Sequence, residues 1–105
     1  MINFNLVAEI IEDHPEWQAL EVNMEDGYII YTNEDVPGIE LTFADWDLLN
    51  PSDAGAVLRL TDTTHDDPYT GYHLCLIETV LEGVPEDELA YAVEDFFYQV
   101  DDALA

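Results

Sequence analysis

PEDELAYAVEDFFYQVDDALA, residues 85–105, is the stretch on which the fold turns. Leu89, Val93, Phe96, Val100 and Ala103 recur at spacings of 4, 3, 4 and 3, which lines them along one side of a helix, with Glu94, Asp95, Asp101 and Asp102 lying off that line. The pattern predicts a long closing helix with a core-facing stripe. Pro85 suits the first helical position, where its missing N–H is an orphan anyway, and Glu86, Asp87 and Glu88 fall in the first turn, where the helix dipole favours anions. Asp101 and Asp102 occupy the last turn, where cations would be favoured, and the chain contains no lysine to place there.

Working back from that helix, Tyr72 to Leu81 (YHLCLIETVL) is nearly continuously apolar, which predicts a central strand buried on both faces, with Cys75 a small buried hydrophobe. A lone cysteine can form no internal disulfide. Residues 65–71 (HDDPYTG) read as a loop from their turn residues. Residues 51–63 are ambiguous. Asn50 as cap, Pro51 at the first position and Asp53 favour a helix, whereas Gly55 and the run VLRLTDTT suit a strand; the start signals tip the reading towards helix.

At the other end, Phe4, Val7, Ile10, Ile11 and His14 recur at helical spacing after Asn3 or Asn5, so residues 4–13 predict a short amphipathic helix stopped by Pro15. Leu20, Val22 and Met24 alternate with Glu21 and Asn23 as in a half-buried strand. Asp26–Gly27 is a type I′ hairpin signal leading into Tyr28–Asn33, and Pro37–Gly38 is a type II candidate before Ile39, Leu41 and Phe43. The whole reads as one α+β domain over residues 1–105, an antiparallel sheet of four to five strands flanked by an N-terminal and a long C-terminal helix.

Charge is the strongest functional signal. Among 105 residues, 25 are acidic and only Arg59 is basic, a net charge of −24 with neutral histidines. Hydrophobic residues make up 49%, too many for a disordered acidic tail and enough for a real core. A chain of this length has a radius of gyration of about 13 Å, hence a diameter of roughly 34 Å, over which B-DNA carries on the order of 20 charges. The two charge densities match. Acid-rich, lysine-poor composition is also what adaptation to concentrated salt produces, and that reading needs no partner. Even salt-adapted proteins keep some cations for surface ion pairs, however, and a single arginine leaves almost none.

Catalysis and metal binding find little support. His65, Asp66 and Asp67 with Asp62 could gather around a cation, but no calcium-loop pattern or paired-histidine motif is present, so no metal or other cofactor is expected. No serine elbow or glycine-rich phosphate loop occurs, and with 25 carboxylates no acid–base pair is singled out. One arginine cannot hold anionic substrates, and the field repels nucleic acid and anionic membranes. Residues 1–20 have no basic segment followed by an apolar run, which predicts a soluble, cytoplasmic protein. A non-enzyme with a basic partner is expected. Trp17, Tyr31, Trp46, Tyr91 and Tyr98 are candidate contact anchors, Tyr91 and Tyr98 foremost because they share a helix face with Glu94, Asp95, Asp101 and Asp102, near Glu86 and Asp87. Arg59 reads as structural, neutralising a local acid.

Two resemblances bear on function. The segment LCLIETVLEGVPEDELAYAVEDFFYQVDDAL resembles the end of the secretion-chaperone and YbjN-like fold. That resemblance implies a helix, three strands, a helix, two strands and a closing helix in an acidic protein-binding module that commonly dimerises. In charge and size the chain is similar to the small acidic DNA-mimic proteins of phages and bacteria. This second resemblance implies a non-enzymatic inhibitor of the anti-defence or anti-CRISPR type, monomer or homodimer, whose carboxylates occupy the nucleic-acid groove of a basic nucleic-acid-binding protein.

Overall fold

A computed structural model describes residues 3–45, 56–69, 71, 73–81 and 83–105. Helix α1 (Phe4–Glu12) is followed by strands β1 (Gln18–Asn23), β2 (Tyr28–Thr32), β3 (Ile39–Asp45), β4 (Ala56–Asp66) and β5 (His73–Val80), a 3-10 turn at Glu86–Glu88 and helix α2 (Leu89–Leu104). The strands form one antiparallel sheet in the order β1-β2-β3-β4-β5, a meander in which each strand pairs with the next. The fold is α+β.

The core follows from register. Ile29, Phe43 and Leu58 lie opposite one another on three adjacent strands, and Tyr31, Leu41 and Leu60 form the next row but one on the same face. All six are buried. Over them lie Leu89, Val93, Phe96, Phe97 and Val100 of α2 and Val7 and Ile11 of α1. Phe4 stacks on Phe43 with ring centroids 4.6 Å apart. A side chain of this size contributes roughly 1.5–3 kcal/mol when fully buried, so these rows supply the main drive to fold.

Local signals set the turns. Asn3 caps α1, its Oδ1 accepting from the Leu6 N–H at 3.1 Å. Gly38 follows Pro37 with φ +86°, and Ile39 N–H donates to the Val36 carbonyl at 3.2 Å, as a type II turn requires. The β1–β2 connection differs from the expected two-residue turn. It is a four-residue loop, 24–27, in which Asn23 Oδ1 accepts from Asp26 N–H and the Gly27 N–H donates to the Asn23 carbonyl, both at 2.9 Å. A type I′ turn needs positive φ at both central residues, and only Gly27 of the pair has it.

Five sequence expectations are corrected. Residues 56–66 form a strand, not a helix, because Ala56, Leu58 and Leu60 alternate towards the core and β-branched Val57 and Thr61 fill the other face; Asn50, Pro51 and the proposed helix start lie outside the described residues. The apolar run at 73–80 is an edge strand, since a meander leaves its last strand paired on one side only, and Leu76, Val80 and Cys75 are exposed. Leu20, Val22 and Met24 are exposed as well, at 65%, 56% and 52%. Here β1 is the opposite edge, a bulge between Ala19 and Glu21 breaks its alternation, and Met24 falls in the loop. Finally, Pro85 precedes the 3-10 turn with ψ 145°, and α2 buries Phe97 where the spacing pointed to Ala103, which is exposed.

Candidate functional site

Because Leu89, Val93, Phe96, Phe97 and Val100 hold the inner side of α2 against the sheet, the residues between them turn outward. At 3.6 residues per turn, Tyr91, Asp95, Tyr98 and Asp102, spaced 4, 3 and 4, fall close to one line on the outer side. Aromatic and carboxylate alternate along it. Tyr91 is 78% and Tyr98 74% exposed, and aromatic side chains are enriched in contact surfaces relative to the rest of a protein's exterior. The two are about 10.5 Å apart along the axis at 1.5 Å per residue.

The tyrosines border an open groove of about 730 Å³ floored by Val84 and Ala92 and rimmed by the carboxylates of Glu88, Glu94 and Asp95. A shallower depression of about 520 Å³ continues from Tyr98 past Gln99, Asp101 and Asp102 to Ala105. Gln99 Nε2 donates to Asp95 Oδ2 at 3.1 Å, which leaves most of that carboxylate's acceptor capacity for a ligand.

Two neighbouring acids are occupied within the fold. Glu94 Oε1 lies 3.0 Å from His14 Nε2, whose ring stacks on Phe97 at 3.7 Å and 16° and whose Nδ1 lies 3.6 Å from Glu16 Oε1. Glu94 is thereby oriented by the segment after α1. Glu86 Oε1 accepts from Asn3 Nδ2 at 2.9 Å, so one asparagine caps α1 and ties it to the start of the closing helix. Asp87, Asp101 and Asp102 are exposed.

Of the expected anchors, then, the structure gathers Tyr91, Tyr98, Glu94, Asp95, Asp101 and Asp102 on α2, with Glu86 and Asp87 at its N-terminal end. Trp17 and Tyr31 are core residues, 5% and 2% exposed, and Trp46 lies outside the described residues. Burial and the nearby Glu12 carboxylate push the Tyr31 hydroxyl up to about 12. Sequence reasoning passed over Tyr69, which is 96% exposed between β4 and β5. Its setting in HDDPYTG was the available signal, because an aromatic among turn residues belongs to no apolar period.

The acids around His65 do not converge. Asp62 accepts from the Thr64 N–H at 2.9 Å and hydroxyl at 2.6 Å and meets His65 Nδ1 at 2.8 Å, and the Thr64 bonds hold its carboxyl below the usual range. Asp67 accepts from the Tyr69 N–H, and Asp66 faces His73. Among the described residues no group of three or more metal-ligating side chains is arranged to hold an ion. Cys75 is exposed, yet partial burial of its sulfur, against a weaker opposing pull from Arg59, pushes the thiol above its ordinary value and makes it a poor nucleophile. Arg59 reaches across the β4–β5 pair to Glu78, its Nε and Nη2 donating to Oε2 at 3.1 and 2.8 Å. Since Leu58 and Leu60 face the helices, this pair lies on the opposite face of the sheet.

No protein-family model, curated protein or solved structure matches the chain. No helix among the described residues is long and apolar enough to cross a membrane.

Proposed function

We propose that this protein is a non-enzymatic inhibitor that binds a basic nucleic-acid-binding protein and excludes nucleic acid from it, presenting carboxylates where phosphates would lie. The observation that carries this reading is the outer side of α2, where exposed aromatics alternate with carboxylates in a chain with no lysine and one arginine. The longest dimension of the molecule is 32 Å, a length over which B-DNA carries about 19 charges against the net −24 here. Such a field steers a cationic partner and speeds encounter, while the tyrosines give contacts that screening does not remove. The target belongs to the class acted on by anti-defence and anti-CRISPR-type inhibitors, and the encounter takes place in the cytoplasm.

A second reading draws on the edge strand β1 and the loop after it, where Leu20, Val22 and Met24 are exposed. A secretion-chaperone-like module would use such a strip to hold an apolar peptide or a second copy of itself. The test separates the two. The immobilised protein is exposed to host lysate at low salt and eluted stepwise, and the last protein released is assayed for DNA or RNA binding with and without added inhibitor. Release by salt and by competing DNA, with loss of nucleic-acid binding in solution, supports mimicry. Retention of a neutral protein, indifferent to salt and DNA and lost on Val22→Asp, replaces it with the second reading.

A further inference from the structure

We infer that the outer stripe of α2 reads arginine in preference to lysine, and that it takes two arginines about 10 Å apart on one face of a partner helix. This rests on the proposed binding of a basic protein and adds which cation is read and at what spacing.

The chemistry follows from the alternation. Tyr91 and Tyr98 each offer an exposed ring face, and each is followed four residues later, on the same side, by a carboxylate, Asp95 or Asp102. A guanidinium is planar. It can lie flat on a tyrosine ring and direct parallel N–H groups into the adjacent carboxylate, and its weaker hydration lowers the cost of leaving water. A lysine ammonium gains the Coulomb attraction but can neither stack nor fork. The apolar floor at Val84 and Ala92 accommodates the methylene stem of the side chain. Charge complementarity sets the occupant's sign, since the chain's sole arginine is engaged with Glu78 on the sheet.

Spacing comes from the helix itself. The Tyr–Asp unit repeats after seven residues, about 10.5 Å along α2, which equals the separation of two residues seven apart on another helix. Helices that enter the DNA major groove contact base edges with several side chains, among which Arg or Lys on guanine is the commonest specific contact, so the stripe suits a recognition helix removed from its DNA.

The probes are alanine-based helical peptides of ~20 residues, long enough to hold helix in water, each carrying two cations. One has arginines seven residues apart, one has lysines at the same positions, and one has arginines five residues apart, on opposite faces. Binding to the full chain at low salt is measured by titration, with amide shifts at Tyr91 and Tyr98 as the local readout. The arginine i,i+7 peptide is expected to bind about 10-fold tighter than either other peptide and to shift both tyrosines. Tyr91→Ala with Tyr98→Ala removes the preference and leaves the weaker, salt-dependent binding, whereas the Phe pair retains it. Circular dichroism checks that these exposed substitutions leave the fold intact. Equal binding of the arginine and lysine peptides overturns arginine reading and leaves charge mimicry standing. Failure of all three to bind at low salt overturns the attraction to basic partners and the inference with it.

Discussion

At the residue scale, two positions show local chemistry deciding stability. Gly38 has φ +86°, a region costly to residues with a Cβ, and an added Cβ would come within 2.5 Å of Thr64 Cγ2. Its carbonyl also accepts from the Thr63 N–H at 2.8 Å and hydroxyl at 2.6 Å, so the turn cannot move without loosening β4. Gly38→Ala is expected to cost about 2 kcal/mol in urea unfolding, and a loss near zero would show that the turn relaxes freely. Tyr31 makes a pH prediction. Its hydroxyl ionises at about 12 in the fold against 10 in the open chain, so the neutral form is favoured by folding. The resulting stability is present in full below pH 10 and is lost as pH rises from 10 towards 12, a fall of roughly 2–3 kcal/mol. Denaturation series across that range should have a shallower alkaline decline in Tyr31→Phe than in the parent chain.

At the element scale, α2 performs two tasks on opposite sides. Its inner side holds the core, and Phe96 is fully buried there. Phe96→Ala removes contacts that the sheet cannot refill, with an expected loss of about 3–5 kcal/mol and a lowered urea midpoint. Its outer side carries the proposed contact surface, where Asp95, Asp101 and Asp102 can be changed to Asn without disturbing the core. The triple variant should keep its melting behaviour, bind a basic partner more weakly and have a flatter dependence on salt. Unchanged affinity would move the contact to another acidic face. Glu94 is left out of that set because its bond to His14 also supports the packing of α1 on α2. The edge strands carry a third consequence. Exposed apolar residues on β1 and β5 would normally be guarded by lysines, and here the overall negative charge must discourage pairing with a second copy.

At the scale of the whole molecule, a radius of gyration of 13.3 Å confines a net charge of −24. Self-repulsion at that density opposes folding, and it is relieved as the Debye length falls from about 30 Å at 0.01 M salt to about 10 Å at 0.1 M. The melting temperature should therefore rise over that interval and continue upward into molar salt. A midpoint independent of salt would mean that the acids sit too far apart, or too well solvated, for repulsion to matter.

The sequence alone determined the two helices and the turn at Pro37–Gly38, because each depends on neighbours within a few residues, whereas the choice of Asn3 over Asn5 as cap came from the structure. It also determined that Tyr91 and Tyr98 share a helix face with acids, since helical spacing places them there whatever the rest of the chain does. Strand burial was a different matter. Leu20, Val22 and the run from His73 to Val80 carry a buried strand's composition, yet both lie at sheet edges. Whether an apolar strand is covered depends on its rank in the sheet and on which strands the helices reach, and neither is a property of the strand itself. For the same reason only the tertiary structure put Tyr31 in the core and drew Glu94 to His14, a pair eighty positions apart that only packing of the chain's two ends brings within 3.0 Å.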